Sequence, residues 1–225
     1  MNISFSLSSK RSTYNSANSL GFWSSIAMTI LGLIYFVVIV FALLTGQFTT
    51  PPPDWLQLFG GLVSLLACPI MVVVMASLHA ITPIEKKVFS QIALGFTLLF
   101  AIAVSINRFT QLGVVQQSIA AGKVDGLNWF LPYGDRSVML GLEYMGWSWF
   151  LGLGLIFAAP LFTHGKLQRW LRGLLLLYGT LALVSSIGFL INSLLSLLGF
   201  VAWGIILFMV TGLLAVYFRK AQTGE

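Results

Sequence analysis

Six stretches of this chain each carry about twenty or more largely apolar residues in a row, and that feature leaves few folds open. A helix rises about 1.5 Å per residue, so roughly twenty residues cross about 30 Å of hydrocarbon. The stretches lie near Phe22–Leu44, Trp55–Ala80, Val88–Leu112, Val138–Phe162, Trp170–Ile191 and Leu195–Phe218. Hydrocarbon offers no hydrogen bonds, so a spanning backbone must satisfy itself as a helix or a closed barrel. Barrel strands alternate apolar and polar residues over about ten positions. "GLIYFVVIVFALL" shows no such alternation, so the reading is all-α: a six-helix transmembrane bundle.

Composition agrees. Of 225 residues, 58% are hydrophobic and 8% charged, too few charges to clothe a water-soluble domain. The chain divides into a polar segment at 1–21, a transmembrane domain at 22–218 and a tail at 219–225. The polar, Ser-rich start and the length of the first stretch suit an uncleaved anchor, not an export signal. Between stretches, "TGQFTTPPPD" carries three prolines that cannot continue a helix. Asn192 and Ser193 mark a tight hairpin between the last two stretches.

Basic residues orient the chain. Nine of the twelve Lys and Arg, among them Lys10, Lys86, Arg169 and Arg219, fall on the side of the termini. Arg108, Lys123 and Arg136 fall on the other. The positive-inside rule then places both termini in the cytoplasm of a cell whose plasma or inner membrane holds the protein. The net charge of +6 is accounted for by topology and anionic headgroups, so membrane lipid is the expected partner and nucleic acid is not.

Charge inside hydrocarbon is retained for a partner or a purpose. Arg108 lies about 31 Å along the third helix from Lys87, and Glu143 about 29 Å along the fourth from Phe162. Their depths match, and consecutive helices are usually neighbours, so the two are expected to pair. Asn107, Gln111 and Tyr144 share that layer. The loop "GVVQQSIAAGKVDGLNWFLPYGDR" supplies a candidate lid in Gln116, Trp129, Tyr133, Asp135 and Arg136, or an interfacial belt of the same aromatics. Trp147 and Trp149 are expected on different sides of their helix. Glycines at 141, 146, 152, 154, 199, 204 and 212 permit close helix approach.

Enzyme signatures are missing: no HExxH, no GxSxG, no nucleotide loop and no pair of intramembrane aspartates. His79 and His164 each lack the companions of a zinc or di-iron site, so no metal or cofactor is expected. Cys68, beside Pro69 in mid-helix, reads as a small packing residue at a kink. Three readings remain: binding or transport of a small solute in a polar pocket open to the outer face, a non-enzymatic sensor or scaffold in which the pair pins helices, and an intramembrane lipid-modifying enzyme.

The segments "HAITPIEKKVFSQIAL", "NRFTQLGVVQQSI" and "LEYMGWSWFLGLGLIFAAPLF" resemble a group of bacterial multi-pass membrane proteins with no assigned activity. The resemblance spans about a third of the chain. It implies no chemistry, but it singles out Glu85, Gln111, Gln116 and Glu143.

Overall fold

In a computed structural model, residues 3–49, 51–131 and 137–223 are described, with side chains from Tyr14 onward. They contain no strand. Six helices are long and apolar enough to span a membrane: α1 (Ile3–Leu44), α2 (Asp54–Ile81), α3 (Ile84–Ala120), α4 (Val138–Leu161), α5 (Gly165–Leu190) and α6 (Leu194–Thr223). This is the architecture expected from the apolar stretches. Most helices outrun those stretches at one end or both. α3 continues past Leu112 to Ala120, so Gln116 belongs to its final turn and not to a loop.

Local chemistry sets the helix ends. α1 ends at Leu44, just before Gly46 at φ +69°, and Pro53 O accepts the first amides of α2, from Leu56 at 2.9 Å and Gln57 at 3.1 Å. Ser137 caps α4 by accepting Met139 N–H at 3.0 Å. Asn192, at φ +54°, turns the chain between α5 and α6, and Ser193 Oγ accepts Leu195 N–H at 3.3 Å. The tight hairpin expected at those two residues is thus present. Lys87 Nζ donates to the carbonyls of His79, Ala80 and Thr82, closing the end of α2, while Lys86 Nζ reaches Leu161 O and Thr163 Oγ1 at the end of α4.

Each helix packs against its neighbours in sequence, and α6 closes the ring against α1. α4 is the most enclosed span and α1 the most peripheral. Lipid tails are as apolar as leucine, so association relies on close packing and not on escape from water. Small residues supply it. A Cβ on Gly179 of α5 would lie 2.8 Å from Gly152 O of α4, with Ile156 closer still. A Cβ on Gly146 of α4 would strike Val104 of α3. Nearer the chain ends, Gly21 and Gly32 of α1 admit Phe218 and Phe208 of α6, and the Thr29 and Thr211 hydroxyls share a hydrogen bond of 2.9 Å.

The half of the bundle nearer the termini holds a packed apolar core. Met71, Val74, Leu155, Phe162, Leu171 and Phe218 are fully buried there. In the other half three helices locally adopt π-helical turns, at Gln111–Val115, Tyr144–Phe150 and Ala202–Ile206. A π turn adds a residue to the helical repeat and often marks a functional site.

The packing makes a direct prediction. Gly179→Val should cost about 1–3 kcal/mol, because a backbone oxygen stands where the new atoms must go. Gly204→Ala, whose Cβ meets nothing within 4 Å, should leave stability within about 0.5 kcal/mol of the parent. Reversible unfolding of the purified protein, followed by circular dichroism, measures both.

A candidate polar site between α2, α3 and α4

Arg108 stands near the end of the α-helical part of α3, one residue after the fully enclosed Asn107. Glu143 is the last α-helical residue before the π turn of α4. An Arg108 Nη2 to Glu143 Oε1 ion pair joins them, with both side chains about 85% enclosed. The other carboxylate oxygen accepts from Asn107 Nδ2 at 2.5 Å, and Arg108 Nη1 donates to Gln111 Oε1 at 2.6 Å. Four residues from two helices therefore form one network. Both carboxylate oxygens and both terminal guanidinium nitrogens are occupied, as charges outside water require.

The network is not saturated. Asn107 Oδ1 and Arg108 Nε are buried without a hydrogen-bond partner among the described residues. One accepts and the other donates, and each costs about 1–3 kcal/mol while it stays unmet. Both residues line a cavity of about 260 Å³ with Gln111, Glu143, Tyr35 and Trp203. A second cavity of about 300 Å³ adjoins it and is almost entirely apolar. Tyr35, Ile39, Phe48, Glu143, Phe200 and Trp203 line both, so Glu143 stands where polar and apolar chambers meet.

The other residues expected at the site are not all brought to it. Tyr144 is diverted from the cluster: its ring stacks on Phe189 at 4.4 Å and its hydroxyl donates to Ser196 O at 3.2 Å. It tethers α4 to the start of α6 and lines neither chamber. Gln116 sits on the last turn of α3, and Trp129 is 65% exposed; neither lines a chamber. Tyr133, Asp135 and Arg136 lie outside the described residues. Phe48 and Pro52, from the connection between α1 and α2, border the chambers instead. That connection is held by Trp55 Nε1 donating to Gln47 Oε1 at 3.2 Å and Gln57 Nε2 donating to Pro52 O at 2.7 Å.

Trp147 is buried and Trp149 exposed, on different sides of α4 as expected. Trp147 packs edge-on against Phe100 with ring centres 4.7 Å apart, and its carbonyl accepts the Tyr178 hydroxyl at 2.9 Å. His79 Nδ1 is 2.9 Å from Ser90 Oγ, and His164 Nδ1 is 2.8 Å from Thr163 Oγ1, both at the termini end of the bundle and away from the chambers. Glu85 lies in the short turn that opens α3, also at that end.

Sequence reasoning misses Tyr35 and Trp203. Each is one aromatic among many in an apolar helix, and only the helix rotation brings it to Glu143.

Comparison with protein-family models, curated proteins and solved structures finds no match. The likeness to bacterial membrane proteins rests on the quoted segments alone.

Because the two charges satisfy one another, their removal should not be additive. Arg108→Gln and Glu143→Gln should each destabilise by about 3 kcal/mol, since each leaves a buried charge alone. The double variant should lose about 1–3 kcal/mol less than the sum. A thermal-unfolding cycle on the purified protein measures this, and strictly additive losses would show that the pair carries no coupling.

Proposed function

We propose that this membrane protein binds a small, uncharged solute at the Arg108–Glu143 cluster, with Asn107 and Gln111 completing the site. The observation that carries this reading is the unmet pair beside a cavity: Asn107 Oδ1 lacks a donor and Arg108 Nε lacks an acceptor. A hydroxyl or an amide offers both. A charged group suits the site less well, because an anion would compete with Glu143 for Arg108 and a cation with Arg108 for Glu143.

The excess of Lys and Arg at the termini end supports a cytoplasmic position for both termini in a cell membrane, and hence a pocket facing outward. Binding is favoured over passage, because the packed layer of Met71, Leu155 and Phe162 closes the opposite half. Transport would require that layer to part. A sensor or scaffold that uses the pair only to pin α3 to α4 accounts for the salt bridge but not for the cavity beside it, on whose wall Asn107 Oδ1, Arg108 Nε and Trp203 Nε1 are all unmet. A lipid-modifying enzyme would need a nucleophile or second acid–base group in contact with Glu143, and the groups bonded to its carboxylate are the Asn107 amide and the Arg108 guanidinium.

The test is a thermal-shift screen of the purified protein against neutral polyols and primary amides. A solute that binds should raise the unfolding temperature in proportion to the logarithm of its concentration. Asn107→Leu should abolish the shift, while Glu85→Gln, at the opposite end of the bundle, should leave it intact. A shift of the same size in Asn107→Leu, or none in the unsubstituted protein across the panel, would return the cluster to a purely structural role.

A further inference from the structure

The apolar chamber borders the seam between α1 and α6. From Gly21 to Gly32, α1 lies tight against α6 through Phe218, the Thr29–Thr211 hydrogen bond and Phe208. One turn further on, Tyr35 and Ile39 of α1 face Val201, Gly204 and Ile205 of α6 across the cavity of about 300 Å³. Phe36, Val201 and Ile205, which border it, are 37%, 41% and 39% exposed, so the rim of the chamber at α1 and α6 lies on the outer surface of the bundle. The π turn at Ala202–Ile206 lies on this wall. Gly204 leaves space there, because its missing side chain would meet nothing within 4 Å. On a spanning helix, that outer surface faces lipid.

We infer that the solute is a single-chain neutral amphiphile, taken from the bilayer between α1 and α6, with its hydroxylated head at Asn107 and Arg108 and its tail in the apolar chamber. This rests on the binding reading above and specifies its ligand. The two chambers fit the two ends of such a molecule. One holds Asn107 and Arg108 with their unmet acceptor and donor, and Asn107 is 1% exposed. The other is lined chiefly by aliphatic and aromatic side chains and has its rim on the lipid-facing surface. They meet at Glu143, which is where the head would join the tail. Polar solutes reaching the cluster from water would have no use for the second chamber. A phospholipid would bring a charged head to a site whose own charges already cancel, and two tails to a cavity with room for about one ligand of modest size.

Photolabelling tests this with the full chain in phosphatidylcholine vesicles and a monoacylglycerol carrying a diazirine near its tail end. Crosslinks should map to Tyr35–Ile39 and Val201–Leu207, and an excess of unlabelled monoacylglycerol should remove them. Gly204→Leu, which fills the chamber, should lower this labelling at least about tenfold, the equivalent of losing roughly two buried methylenes. Val63→Phe fills the same chamber from α2 and serves if the first variant does not fold. Asn107→Leu should lower labelling by a similar factor through the head.

Labelling that no competitor removes and that Gly204→Leu leaves unchanged would mean bulk lipid contact, and would overturn the inference. Stronger labelling by a diazirine fatty acid than by the monoacylglycerol would overturn the neutral head. If chamber labelling fails while a polyol or amide still stabilises the protein through Asn107, the amphiphile is wrong and the binding site stands. If both fail, the site reading goes with it.

Discussion

A charge in hydrocarbon has to find its opposite at the same depth, and the far half of this bundle is arranged around that demand. Arg108 and Glu143 come from helices that run in opposite directions, so their meeting fixes the vertical offset of α3 against α4. Asn107 and Gln111 each bond one member of the pair, which holds both side chains in place. Two π turns begin at this layer, at Gln111 and Tyr144. A longer repeat rotates the rest of each helix, so residues beyond the pair point elsewhere than an uninterrupted α-helix would aim them.

That rotation explains where sequence reading succeeds and where it stops. Helix number, the Asn192–Ser193 turn and the matched depths of Arg108 and Glu143 all come from counting residues along an axis. Counting gives height. It gives azimuth only while the period stays at 3.6, and the π turns break it. Tyr144 shares the height of Glu143, but successive residues of a helix point about 100° apart, and its ring stacks on Phe189. Trp203 lies within a π turn and comes round to the chambers. Gln116 reads as a loop residue because "GVVQQSIAAG" is less apolar than the stretch before it, but nothing in it stops a helix until Gly122, at φ +69°. Extra helix beyond the hydrocarbon costs the chain little.

Glycine carries opposite meanings at different positions. At Gly146, Gly152 and Gly179 the absent side chain lets backbones touch, and the space is used. At Gly204 it is left open. Composition cannot separate these cases, since both read as small residues in an apolar helix. What separates them is the partner across the interface: Gly32 meets Phe208, which Phe36 also packs against, whereas nothing stands within 4 Å of where a Gly204 side chain would begin.

Unfilled space is costly in a membrane protein. The bundle gains little from hiding apolar surface from apolar lipid, so contact between side chains is most of what holds it together, and a void forfeits that contact. Packing at the termini end demonstrates that this sequence can fill an interior with Met, Leu and Phe. Leaving two adjoining cavities at the other end, with an unmet donor and acceptor on the wall of one, works against stability twice over. A chain whose sole task was to pin helices together would gain by replacing Gly204 with a larger residue and Asn107 with an apolar one. The cavities and the unmet polar atoms have a physical rationale together only when something occupies them, and the occupant has to be polar at Asn107 and apolar beside Gly204.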